Sequence, residues 1–180
     1  MNKALLFGGI AFALVSFSSC KHGDKTEEQE LGAGMIRMDL TPYGLPATID
    51  IPDTARKPHV IEARPDGSIH ISVAKGFDFT INVSGMTMDR KKKDINGDDV
   101  DKFQSWVVQD SNTVLYKTQM VNEEFHFYAI LKKDGKTFFV EDLRQGPDGN
   151  VSTFTQQDAQ AMLNAAKTMM PLAAPAKTNS

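Results

Sequence analysis

Phe77, Phe79, Ile81 and Val83 alternate with Asp78, Thr80, Asn82 and Ser84. Successive side chains of an extended strand point to opposite faces, so this alternation writes a strand with one face for a core and one for water. A chain that carries it must build a sheet, and its neighbours supply the partners. Residues 59–64 suit an extended segment, Pro65-Asp66-Gly67-Ser68 is turn chemistry, and Ile69, Ile71 and Val73 alternate with His70 and Ser72. The pair predicts a hairpin, with Lys75-Gly76 turning into the 77–84 strand.

The same reading extends in both directions. Ile36, Met38 and Leu40 alternate with Arg37 and Asp39, and Ile49 and Ile51 mark a second short strand closed by Pro52. Residues 103–108, 113–120, 124–132 and 137–143 predict four more strands, with turns at Asp110-Ser111-Asn112, near Val121-Asn122-Glu123, and at Asp134-Gly135. Phe125, Phe127, Ala129 and Leu131 line one face of the 124–132 strand, while Tyr128 and Ile130 make the other face apolar too. That predicts a central strand covered on both sides. Residues 86–95 can form a short middle helix with Met88, the Lys91 stem and Ile95 on one side. Thr155 with Asp158 three places on then opens an amphipathic helix carrying Ala159, Met162, Leu163, Ala166, Met169 and Met170, stopped by Pro171. The expected fold class is α+β: a mainly antiparallel sheet of roughly seven to nine strands with the C-terminal helix packed on one face. The expected organisation is residues 1–19 as a signal peptide, 20–34 as a modified cysteine and tether, 35–170 as one domain and 171–180 as a frayed tail. This order of elements, with its late Thr-capped helix, resembles the PsbP-like fold over residues 35–170. That resemblance implies a non-catalytic assembly or binding partner and places no functional residue.

The N-terminus says how the domain is held. Lys3 precedes an almost unbroken apolar run over residues 4–17, followed by Ser18, Ser19 and Cys20. The run is shorter than the roughly 20 residues a spanning helix needs, and Cys20 is the single cysteine of the chain, so it has no internal disulfide partner. This segment resembles the signal peptide and lipobox of a bacterial lipoprotein, with Phe17 where Leu is usual. The resemblance implies cleavage before Cys20 and acylation of Cys20, with no transmembrane helix. Lys21, rather than Asp, behind the cysteine is similar to outer-membrane sorting signals. Asp24, Glu27, Glu28 and Glu30 loosely resemble a surface-export tag. Residues 21–34 are polar and charged with one Leu, and predict a flexible tether.

Charge narrows the partners. The formal charge is −3, and −4 once residues 1–19 and their single Lys3 are removed. A mildly acidic domain lacks the basic face that nucleic acid requires. With Cys20 taken by lipid, thiol catalysis and a thiolate zinc site are excluded.

Among chemical candidates, Asp94, Asn96 and Asp98 have the spacing that opens a calcium loop, with Asp101 close behind. Asp99 stands where such a loop needs glycine and Ser105 where it needs a bidentate Glu, so a solvated acidic turn is the stronger reading. Arg90-Lys91-Lys92-Lys93 reads as one solvated basic face balanced by Asp89 and Asp94. His22, His59, His70 and His126 show no metalloprotease spacing, and read as surface or strand-face residues, although His70 and His126 both fall on strands. Met162, Met169 and Met170 lie on the apolar helix stripe, which core packing explains better than copper. No G-x-S-x-G, phosphate loop or dinucleotide fingerprint occurs. The expected function is a membrane-anchored, non-catalytic lipoprotein of the outer membrane that binds an envelope protein, with no cofactor. The alternatives are a small-ligand or calcium-binding module and, further off, an envelope enzyme.

Overall fold

The structure, a computed structural model, describes residues 31–55, 57–144 and 152–172. The signal segment, Cys20 and most of the tether lie outside the described residues, as do His22 and positions 173–180 of the tail.

Antiparallel strands and two α-helices make an α+β fold. One sheet joins β1 (Met35–Asp39), β2 (Ala47–Pro52) and β10 (Met170–Pro171) in the order β1-β2-β10. The larger sheet contains β3 (His59–Ala63), β4 (Ile69–Val73), β5 (Asp78–Asn82), β6 (Lys102–Gln109), β7 (Thr113–Gln119), β8 (Glu123–Lys133) and β9 (Lys136–Asp142), ordered β3-β4-β5-β9-β8-β7-β6. After β5 the chain passes through α1 (Met88–Asn96) to the far edge at β6, and returns by hairpins until β9 pairs with β5, Val140 opposite Ile81. The turn into β9 has Asp134 at φ 47° and Gly135 at φ 73°, the left-handed pair that the twist of a two-residue hairpin demands.

Two apolar clusters lie against the large sheet. Phe79, Phe127, Phe138, Ile71 and Val140 share one with Ile49 and Ile51 of the small sheet and with Ala159, Met162, Leu163 and Ala166 of α2 (Gln156–Lys167). Met88 and Ile95 of α1 share the other with Val114, Tyr128 and Ile130. Strand β8 contributes alternate residues to each, so it is covered on both faces. The helix starts follow local chemistry. Thr155 accepts from the Asp158 N–H at 3.2 Å and Asp158 accepts from the Thr155 N–H at 2.9 Å, a reciprocal cap. Thr87 caps α1 by accepting from the Arg90 N–H.

Several expectations need correction. There are ten strands rather than seven to nine, because the N-terminal pair forms its own sheet and recruits β10. Helix α2 ends at Lys167, before Met169 and Met170. Thr168 is the reason. Its hydroxyl donates to the Ala165 carbonyl at 2.7 Å and accepts the Asp50 N–H at 2.8 Å, so β2 captures the chain as the helix ends. Met169 still enters the core, while Met170 and Pro171 pair with Thr48 and Ala47. Pro171 therefore sits in an edge strand, where its missing N–H costs least. The tether also ends earlier than residue 34: the Gly34 carbonyl accepts the Asp53 N–H at 2.9 Å, extending the β1–β2 pairing. In β5, Asp78 and Thr80 are buried rather than wet, and Val83 is exposed because the strand ends at Asn82.

Gly85 fixes the approach of the chain to β9. A Cβ there would lie 2.6 Å from Cγ of Phe139. Gly85→Ala is expected to cost about 1–3 kcal/mol through overpacking, read as a lowered urea midpoint with an unchanged denaturant slope.

Candidate functional site

Register builds the site. Tyr116 lies opposite His126 and Thr118 opposite Glu124, so all four share one face of the β7–β8 ladder, the face that also carries Tyr128. At the end of β9 the Asp142 side chain turns to β8. Its Oδ1 accepts the Phe127 N–H and its Oδ2 accepts from His126 Nδ1, both at 2.7 Å. A carboxylate can only accept, so Nδ1 carries the proton. That leaves His126 Nε2 facing inward, 3.6 Å from Asp101 Oδ2 and 3.7 Å from Glu124 Oε2. Arg144, just past β9, bridges the same two carboxylates. Nη1 donates to Asp101 at 2.6 Å and Nη2 to Glu124 at 2.9 Å. The planar guanidinium suits this because its donors diverge in a fixed fork.

Three carboxylates, one guanidinium and one imidazole are thus gathered where His126 is only 1% exposed. An imidazole oriented by a carboxylate resembles the base of a nucleophilic site. Here its second nitrogen faces two acids already held by Arg144, not an open cleft. The arrangement does the work of a charge lock, joining the residue before β6 to the ends of β8 and β9.

A pocket of about 150 Å³ opens beside the lock. Met86 and Ile95 form its apolar wall, and Asp94, Asp98, Asp101 and Lys91 its charged one, with Tyr116 and Thr118 also lining it. Burial, and then the charges of Asp142, Glu141 and Asp101, push the Tyr116 phenol well above its ordinary value, so it stays neutral. Lys91 is committed elsewhere: Nζ lies 2.7 Å from Glu141 Oε2 and 4.8 Å from the centre of the Tyr128 ring. Tyr128 donates its hydroxyl to the Met86 carbonyl at 2.8 Å, and burial followed by the Glu141 charge pushes its pKa up to about 12. Two polar atoms at this site, Asp101 Oδ1 and Thr118 Oγ1, are buried and have no hydrogen-bond partner.

The structure places the expected residues unevenly. Asp94, Asp98 and Asp101 reach the same pocket, whereas Asn96 turns back to donate to the Lys92 carbonyl at 2.8 Å. Asp98 Oδ1 accepts the N–H groups of Val100 and Asp101, which holds its carboxyl below the usual range. Among the described residues, no group of three or more His, Cys, Asp or Glu is arranged to hold a metal ion. Lys91 is half-buried rather than part of a solvated face. His70, also 1% exposed, lies 2.8 Å from Asp78 Oδ1 and 3.4 Å from Glu62 Oε1, so it shares no partner with His126. Glu124, Asp142, Arg144 and Thr118 were not legible as site residues. One signal existed: Glu124 and His126 alternate onto the β8 face that carries Tyr128 and Ile130, and polar residues on an apolar face must be paired.

Arg144→Ala would leave Asp101 and Glu124 buried without their cation. The expected loss is about 2 kcal/mol or more, below the ~3–5 of a fully enclosed pair because Arg144 is partly exposed; urea denaturation measures it. Because the folded pKa of Tyr128 lies above its unfolded value, its contribution is complete below about pH 10 and is lost as pH rises toward 12. Tyr128→Phe should therefore flatten part of the alkaline fall in melting temperature.

No family model matches the chain, and neither the curated proteins nor the solved structures compared with it give a match.

Proposed function

We propose that the chain is a lipoprotein of the bacterial outer membrane, held through acylated Cys20. Its α+β domain, with the C-terminal helix closing one sheet face, serves as a non-catalytic binding or assembly module for an envelope partner. The observation that carries this reading is the N-terminal sequence: a basic start, an apolar run, Ser18-Ser19, and the sole cysteine. One acyl chain binds a membrane only marginally, so two or more on Cys20 would be the anchor. Residues 21–34 reach at most about 50 Å when extended, enough to hold the domain clear of the bilayer.

The charge lock supports the non-catalytic part. His126, Asp101, Glu124, Asp142 and Arg144 meet one another in the interior, and a general base has to reach a reactant. A small-ligand module is the second reading, favoured by the partnerless oxygens of Thr118 and Asp101 at the pocket.

Growth with labelled palmitate tests the anchor. The wild-type chain should take up label and sediment with membranes, and Cys20→Ala should do neither. Unlabelled wild type, or labelled Cys20→Ala, would overturn the lipoprotein reading. Crosslinking in living cells with mass spectrometry tests the partner. A specific envelope protein should be recovered with wild type and lost with Cys20→Ala.

A further inference from the structure

We propose that the 150 Å³ pocket between α1 and the β7–β8 face binds a primary alkylammonium group, with Asp101 Oδ1, Thr118 Oγ1 and the Asp94 carboxylate as its acceptors. This rests on the binding-module reading and names its ligand class; it does not depend on acylation of Cys20.

Charge selects the sign of the ligand. Three carboxylates line the pocket against one lysine, and that lysine is paired with Glu141 outside the set. Arg144 is bound to Asp101 and Glu124. An incoming anion meets only like charge.

Unsatisfied atoms select the shape. Thr118 is 1% exposed and Asp101 7%, yet Thr118 Oγ1 and Asp101 Oδ1 have no partner. A buried polar atom left unpaired costs about 1–3 kcal/mol. Tyr116 and Thr118 are two apart on β7 and so present the same face to the pocket. An ammonium brings three donors and no acceptor, which is what a ring of partnerless acceptors takes. A bare dication would need a set of closely spaced anionic ligands, and no such group is arranged among the described residues.

Size and the apolar wall select the stem. A space of this volume holds roughly six non-hydrogen atoms. Met86 and Ile95 give an aliphatic chain somewhere to lie while its charged head reaches the acids. A free alkylamine and the lysine side chain of a partner protein share this chemistry.

The test uses the full chain in detergent and n-butylammonium as probe. Trp106, the only tryptophan, has its ring centre 5.9 Å from that of Tyr116, so its fluorescence reports on the pocket. The expected result is a saturable change that n-butyrate and n-butanol do not produce. Thr118→Val should weaken binding at least about tenfold while leaving the melting temperature unchanged or raised, since it removes a partnerless hydroxyl at constant shape. Thr118→Ser keeps the hydroxyl and should bind within about threefold of wild type. Absence of a saturable response, an equal response to n-butyrate, or unweakened binding by a folded Thr118→Val overturns the proposal. Zero-length carbodiimide coupling in whole cells then separates the sources. A lysine-containing peptide joined to Asp94 identifies a partner protein, a small amine adduct identifies a free ligand, and no adduct at Asp94 counts against the site. Palmitate labelling and crosslinking through other residues keep their outcomes whichever way the amine test falls.

Discussion

Burial of β8 on both faces is the constraint that organises this domain. Its eleven residues put Phe127 and Ala129 into one apolar cluster and Tyr128 and Ile130 into the other. Each large side chain fully withdrawn from water contributes about 1.5–3 kcal/mol, so both faces must be covered. The side that also packs α2 and the small sheet is almost purely apolar. The side under α1 is not, because the same strand brings Glu124 and His126 there.

The charge lock follows from that mixture. Carboxylates and an imidazole drawn out of water lose hydration, and the loss is offset only by close, well-aligned partners. Asp142 supplies one by abandoning ladder pairing and reaching the Phe127 N–H and His126 with its side chain. Arg144 supplies another across 43 and 20 residues of chain. Such a set gives modest net stability but strict position. A slip of β8 by one residue would bring Phe125 and Phe127 to the guanidinium and carry His126 to the apolar side.

Local patterning made the strands legible. The alternations around Ile71, Phe79 and Phe127, the Asp134-Gly135 turn and the Thr155–Asp158 cap are short-range rules that the chain obeys with its nearest neighbours. The double apolar face of 124–132 was legible for the same reason. What could not be read depends on partners far along the chain: the pairing of β5 with β9, the separate small sheet, and the capture of Thr168 by β2. His70 and His126 read as strand-face residues because nothing in their own spacing shows Asp78 or Asp142 beside them. Asp94, Asp98 and Asp101 stood out as an acidic run, but their role changes once α1 turns them toward Tyr116 and Thr118.

The link between Asp50 and Thr168 spans 118 residues, and β5 waits for β9 before the large sheet is continuous. Contacts between distant segments form late, because the entropy of closing the intervening loop must be met first. A chain threaded across a membrane from its N-terminus delivers β1 to β5 well before the segments that complete them. Those early strands have only short hairpins to form until the last thirty or so residues arrive. The topology therefore works as a timer: the domain stays thin enough to pass through a narrow channel, and locks only when its final helix has come through.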